Sequence, residues 1–276
     1  MQSEKPHFII KPSKGWRFLD SKELSEYRDL FFFMMWRDIK ILYKQTVLGF
    51  TWAIIRPFVT MIVFTIVFGQ LAKVPSDGIP YPLFAYTALV PWTYFQTALT
   101  KSTESLITNA GMMTKIYFPR IIIPMTPVLA CLVDFGVAFA ILGLMMVWYK
   151  VVPMAEVLVL PFLILLMSLT AAGLGMWLSA LAVQYRDVKH ALQFVAQLLM
   201  YSAPVVWPAS LIPEAYRPLY GLYPMAGVIE GFRSALLGRM PMPWDLILVG
   251  SISSLFLAIS GVFYFRKMER RFEDVA

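Results

Sequence analysis

Charge is scarce in this chain. Only 15% of its 276 residues are Asp, Glu, Lys or Arg, against about 25% in soluble domains, and 59% are hydrophobic, with a mean hydropathy of +0.66. That balance marks an integral membrane protein and leaves no room for separate soluble catalytic domains. Cysteine is nearly absent. Cys131 stands alone inside an apolar run, which excludes a disulfide framework and a cysteine-based zinc site and argues against redox chemistry. The two histidines, His7 and His190, fall in separate segments expected to be cytosolic, so neither a His-pair metal helix nor a Ser-His-Asp arrangement in the membrane is supported. No Gly-Lys dipeptide occurs. A P-loop, which wraps phosphate with backbone N–H groups and a lysine, therefore cannot form, and ATP hydrolysis by that route is excluded. Internal repeats and low-complexity stretches are also missing.

What is present is a succession of apolar segments. Residues 1–29 hold Lys5, Lys11, Lys14, Arg17, Lys22 and Arg28 without an apolar core, so no secretory signal peptide is expected there. Six segments, at 51–72, 83–103, 121–149, 157–183, 192–207 and 245–265, approach the length of a bilayer crossing, the fifth being the shortest. The formal net charge of +7 reports topology rather than nucleic-acid binding. With the N-terminus inside, eighteen of the 24 Lys/Arg fall in cytosolic segments and five, Lys73, Lys150, Arg217, Arg233 and Arg239, in external ones. The positive-inside rule thus places both termini in the cytosol. The remaining basic residue, Arg56, lies in the first segment, where arginine costs about 2.5–3.5 kcal/mol at a helix centre. Eleven Leu, Ile, Phe and Val residues of 51–72 return roughly 3–7 kcal/mol, and Arg56 sits near the cytosolic end, within snorkelling reach of headgroups.

Ahead of the first segment, Asp20 with Glu23 forms a capping pattern, and Leu24, Tyr27, Phe31 and Met34 follow at helical spacing. Ile39, Leu42, Tyr43 and Val47 share a helix with Arg37, Lys40 and Lys44, the pattern of an amphipathic helix in the cytosolic interface. It serves as an anchor or presents lipid headgroups. Residues 208–244 contain two apolar stretches of about ten residues, too short to span and interrupted by Pro213, Pro218, Gly221, Pro224, Gly238 and Pro241. They fit a re-entrant pair of short helices on the outer side, since irregular backbone at membrane depth must be buried in protein or line a wet cavity. Glu230 and Arg233, three residues apart on one face, form a local salt bridge or an outer gate.

Asp134 is the one acid near the centre of a long span. With no second acid at that depth a proton relay is unsupported, and a structural hydrogen bond is the simpler role. Aromatics make up 15% of the chain. Phe64, Phe68, Trp92 and Tyr201 belong to interfacial belts or core, or to a passage on which sugar rings stack. Two cytosolic connections, 109–115 with Gly111, Met113 and Lys115, and 184–190 with Tyr185, Arg186, Asp187 and His190, read as short amphipathic helices able to dock on a soluble partner.

Ordered motifs then bring a family into view. Tyr43-Lys44-Gln45-Thr46-Val47-Leu48-Gly49 with Trp52 and Arg56-Pro57, Leu89-Val90-Pro91-Trp92, and Lys115-Ile116-Tyr117-Phe118-Pro119-Arg120 are followed by Val133-Asp134-Phe135, Gln184-Tyr185-Arg186-Asp187-Val188 and Ser202-Ala203-Pro204-Val205. Across nearly its whole length the chain resembles the membrane subunits of ABC-2 type polysaccharide exporters of the O-antigen, capsule and teichoic acid kind. It departs from them at Tyr223-Pro224, where the family usually has Asn-Pro. The resemblance implies an all-α integral membrane fold with six transmembrane helices, an N-terminal interface helix within a cytosolic segment 1–50, a transmembrane domain over 51–276, and an outer re-entrant hairpin near 208–244. It implies a bacterial inner-membrane half-transporter that pairs with a second copy and with two ATP-hydrolysing subunits, which bind ATP and Mg while this chain carries no cofactor. The substrate implied is a polysaccharide on undecaprenyl diphosphate. Lys40, Lys44, Leu48, Gly49 and Arg56 would admit the lipid diphosphate, and Tyr223, Glu230 and Arg233 would form the outer gate. A secondary transporter or channel is the rival, but it needs intramembrane ion-coupling residues, of which Asp134 is the one candidate. A membrane-embedded glycan enzyme needs clustered acids, and the acids here are scattered.

Overall fold

The computed structural model describes residues 25–44, 51–113, 115, 117–185 and 187–269, with side chains described from 25–41 in the first of these stretches. Among the described residues all regular structure is helical. Helix α1 (Arg28–Lys44) precedes α2 (Thr51–Phe64), which widens into a π-helical continuation, Thr65–Leu71. Then come α3 (Tyr81–Thr108), the four-residue α4 (Ala110–Met113), α5 (Ile122–Trp148) and, after a 3-10 turn (Ala155–Val159), α6 (Leu160–Gln184). Helix α7 (Val188–Ser202), two short 3-10 turns and α8 (Arg217–Gly221) lead to α9 (Pro224–Leu237) and α10 (Trp244–Glu269).

Among the described residues, four helices are long and apolar enough to cross a membrane: Thr51–Leu71, Ile122–Trp148, Ala155–Gln184 and Trp244–Glu269. Their lengths follow from uninterrupted apolar sequence, and 20 residues rise about 30 Å. Helix α3 is equally long but more polar, because its last third carries Thr100, Lys101, Ser102, Thr103, Glu104 and Ser105. It runs through the middle of the bundle, packed against α5 and α6, and is buried continuously from Leu83 to Trp92. Helix α10 packs along α6, and α9 fills the space between α10, α6 and α3.

Without water to drive apolar faces together, membrane helices associate through small residues and interhelical hydrogen bonds. Both occur here. A Cβ on Gly173 of α6 would lie 2.7 Å from the Ala258 backbone nitrogen of α10, and Gly261 faces the Gly173 carbonyl in return. The Thr170 and Ser254 hydroxyls share a 2.7 Å hydrogen bond across the same seam. Between α3, α5 and α6, the Tyr94 hydroxyl donates to the Val128 carbonyl at 3.0 Å and pairs with Ser168 Oγ at 2.8 Å.

Two expectations shift. The fifth apolar segment, read as 192–207, leaves helical geometry at Ser202: α7 has 15 residues, about 22 Å of rise, and 203–207 continue as irregular chain. The reason is Ala203-Pro204, whose proline disfavours helix at the residue before it. Ala203 is extended there, at φ −74° and ψ 152°. Of the connection at 184–190, Gln184 closes α6 and residues 188–190 already belong to α7, so its described residues form no helix of their own. In the 208–244 connection only the second apolar stretch becomes a full helix, α9. It starts with Pro224 at its first position, ends at Gly238 with φ +62°, and all fourteen of its residues are buried.

Candidate functional site

At the end of the bundle away from α1, Arg233 and Glu230 face inward on α9 and are 0% and 3% exposed. Arg233 Nη1 donates to Glu230 Oε1 at 2.8 Å, Nη2 to the Val205 carbonyl at 2.8 Å and Nε to the Phe84 carbonyl at 3.4 Å. The guanidinium carbon stands 3.5 Å from the Phe84 ring centroid, a cation–π contact in a desolvated setting. Glu230 Oε1 also accepts from the Ala209 N–H at 3.0 Å, and the Tyr81 hydroxyl donates to the Val206 carbonyl at 2.7 Å. The pair is therefore no surface bridge. It satisfies backbone groups of the irregular 205–209 segment that no helix supplies with partners.

The same segment sits beside the last turn of α7, whose carbonyls lack intrahelical partners. Aromatic donors take those of Tyr201 and Ser202 and add a second bond to the Leu199 carbonyl, which the Ala203 N–H already serves at 2.9 Å. Tyr220 Oη donates to the Ser202 carbonyl at 2.8 Å, Tyr223 Oη to Leu199 at 3.3 Å and Trp207 Nε1 to Tyr201 at 3.2 Å. Burial pushes the Tyr220 and Tyr223 phenols above their ordinary range, keeping both as donors. Of the expected outer residues, Tyr223, Glu230 and Arg233 thus converge on one segment. Tyr81, Trp207 and Tyr220 were missed because each reaches a backbone carbonyl whose position no periodicity reveals.

At the opposite end, α1 docks on α5, with Met34 1% exposed against the bundle. Arg37 holds Asp38 at 2.8 Å and Asn109 Oδ1 at 2.9 Å, so the helix is fastened to protein as well as presenting Phe32, Phe33, Trp36 and Ile41 outward. Lys101 of α3, Asp134 and Asp38 lie within electrostatic reach of the Cys131 thiol of α5. Lys40 sits over the Trp36 ring at 5.5 Å, and Arg56 is exposed with its guanidinium 5.7 Å from the Trp52 ring. Lys44 is described only as the last residue of α1, while Leu48, Gly49 and Arg186 lie outside the described residues, as does the Asp20 cap.

Gly111 and Lys115 are exposed and Met113 is half-buried around α4. Tyr185, Asp187 and His190 are exposed at the α6–α7 break. Beyond α4, the Arg120 backbone N–H donates to Glu269 Oε1 at 3.3 Å and its Nη1 to the Glu269 carbonyl at 3.1 Å, tying this connection to the end of α10. Of the four aromatics expected along a passage, Trp92 is 1% exposed in the protomer interior and Phe64 is buried beside Phe68, ring centroids 5.4 Å apart. Tyr201 is 49% exposed.

A helix docked at one end of the bundle, two exposed connections at that end and a polar-pinned segment at the other suit a transport subunit. The family profile for "ABC-2 type transporter" matches residues 29–237. The chain belongs to the ABC-2 type transporter family. The match begins in α1 and closes at the end of α9, so it takes in both the Arg37–Asn109 junction and the Glu230–Arg233 pair. Among relatives of this ABC-2 chain, the O-antigen export system permease protein RfbA of Myxococcus xanthus is 26% identical over 253 residues, covering 90% of this chain and 96% of the relative. The RfbA protein of Klebsiella pneumoniae is 24% identical over 240 residues, 87% of this chain and 92% of its own. The polysialic acid transport protein KpsM of Escherichia coli is 22% identical over 209 residues, 73% and 78% of the two chains.

Proposed function

We propose that this chain is the membrane-spanning subunit of an ATP-driven exporter that moves undecaprenyl-diphosphate-linked polysaccharide, O-antigen, across the bacterial inner membrane. The observation that carries this reading is end-to-end similarity to O-antigen export permeases in a chain that has no P-loop of its own. The capsule-type relative aligns over a smaller share of both chains, which favours O-antigen over capsular polysaccharide.

In this reading the chain crosses the membrane six times through α2, α3, α5, α6, α7 and α10, with both termini cytosolic. Residues 1–50 form the cytosolic segment and interface helix, 51–276 the transmembrane domain. The stretch 208–244 re-enters from the outside. Two copies pair and engage two ATPase subunits. Gly111, Met113, Lys115, Tyr185, Arg186, Asp187 and His190 receive the ATPase. Lys40, Lys44, Leu48, Gly49 and Arg56 admit the lipid diphosphate, where an arginine fork binds phosphate oxygens bidentately and lysines attract them as point charges. Tyr223, Glu230 and Arg233 position the outer gate. Tyr201 and Phe68 present rings to the glycan.

Co-expression with an ABC-type ATPase subunit from the same genome, in a bacterium lacking its own O-antigen exporter, tests the reading. Co-purification of the two with ATPase activity, together with O-antigen restored at the cell surface, is the expected result. Surface polysaccharide that stays absent while both subunits are made and assembled would overturn it.

A further inference from the structure

Helix α7 buries one side only. Leu192 and Ala196 are inside, while most of its remaining circumference is exposed. That exposed arc is not uniform. At about 100° per residue, His190, Gln193, Gln197 and Tyr201 fall within about 80° of one another and form a polar strip along the helix. Phe194, Leu198 and Val195 occupy the neighbouring arc. Neither Gln193 nor Gln197 has a side-chain hydrogen-bond partner in the protomer among the described residues.

The strip runs from His190 in the first turn of α7 to the outer turn that Tyr220, Trp207 and Tyr223 hold in place. Two primary amides in the middle of such a helix cannot rest against hydrocarbon, where no group would accept or donate to them. The adjoining Phe194, Leu198 and Val195 arc meets that environment well. The helix therefore separates two surroundings, one apolar and one wet.

We propose that Gln193 and Gln197, with Tyr201 at the outer end of the strip, form a glycan-binding track along a water-filled passage. Each glutamine offers one acceptor and two donors, which matches the mixed donor and acceptor edge of sugar hydroxyls. The amides exchange partners as successive sugars pass, and the exposed Tyr201 ring supplies a stacking face where the track ends. This assignment rests on the polysaccharide export proposed above and adds the residues that touch the sugars.

The test uses the assembled permease–ATPase complex carrying Cys131→Ser. Single variants Gln193→Cys and Gln197→Cys are treated in vesicles with a charged, membrane-impermeant thiol reagent, with Phe194→Cys as the apolar-arc control. We expect positions 193 and 197 to react at least tenfold faster than 194, and lipid-linked glycan to slow that reaction. The double variant Gln193→Leu/Gln197→Leu should lower export at least fivefold with basal ATPase activity retained, and Gln193→Asn/Gln197→Asn should restore part of it. Should the leucine pair fail to assemble, the cysteine reactivities decide alone. Cysteines at 193 and 197 that resist the reagent but cross-link to the second copy would overturn the proposal and assign the strip to copy-to-copy packing. So would a well-assembled leucine pair exporting at the wild-type rate. A parent complex that moves no glycan at all would count against the export function, while reactivity at 193 and 197 would still report whether the strip is wet.

Discussion

Arg37 on the interface helix and Asn109 at the end of α3 are 72 residues apart in sequence and joined by a 2.9 Å hydrogen bond from Nη2 to Oδ1. Asn109 opens the connection that contains α4, and its own amide donates back to the Ser105 carbonyl at 2.8 Å. If a partner ATPase pushes on α4, this contact is the route by which the push would reach the interface helix. Arg37→Ala removes one charge-assisted bond in a half-exposed setting, about 1 kcal/mol or a roughly fivefold change in the docked population. ATP hydrolysis should persist while glycan export falls, and Arg37→Lys should recover part of the loss. Parallel export and ATPase assays on the assembled complex check this; equal loss of both activities would point to a folding defect instead.

The Glu230–Arg233 pair carries a different expectation. Removing one member of a buried, hydrogen-bonded ion pair strands the other charge and costs about 3–5 kcal/mol. Glu230→Gln and Arg233→Met should each lower the melting temperature of the detergent-solubilised protein sharply. Exchanging the charges, Glu230→Arg with Arg233→Glu, should not rescue it, because the Val205 and Phe84 carbonyls need a donor from position 233 and the Ala209 N–H needs an acceptor from position 230. Rescue by the exchange would show that charge alone matters there.

Helix α6 meets α10 backbone to backbone at Gly173 and Gly261. A methyl group at either position has no flexible side chain to push aside, so Gly173→Ala or Gly261→Ala should separate the helices at a cost of about 1–3 kcal/mol. Gly111→Ala, where nothing stands within 4 Å of the added carbon, is the matched control. Thermal unfolding followed by size-exclusion chromatography measures both.

The helical fold was legible from the sequence because long apolar runs have few other solutions in lipid. The 51–72 and 245–265 segments became Thr51–Leu71 and Trp244–Glu269 with little change. The fifth segment misled, since its hydropathy continues through Val205, Val206 and Trp207 while Pro204 ends the helix. Spacing put Glu230 and Arg233 on one face but could not show that the face is buried, as burial depends on α3 and the 203–209 segment, distant in sequence. Trp92 reads as an interfacial aromatic by its Pro91 neighbour, yet packing on all sides of α3 encloses it. Arg37–Asn109 and Arg120–Glu269 leave no local signal at all.

Ser210 is exposed and shares its hydroxyl hydrogen with Asp77, 3.3 Å away, in the segment before α3. The positive-inside rule predicts the outer side for both. A cysteine at Ser210, in a Cys131→Ser background, should react in intact spheroplasts with an impermeant thiol reagent. Reaction only after the membrane is opened would invert the topology.

The central claim is that work done by a partner ATPase drives a lipid-linked glycan through this chain. Its most direct measurement is translocation in sealed proteoliposomes holding only the purified permease–ATPase complex and its lipid-linked polysaccharide, followed by protection of the glycan from an external glycosidase. Protection that develops with ATP and Mg, and is lost when the ATPase subunit is inactivated, is the predicted result. Protection that develops without ATP, driven by an imposed proton or sodium gradient, would contradict the account and identify a secondary transporter.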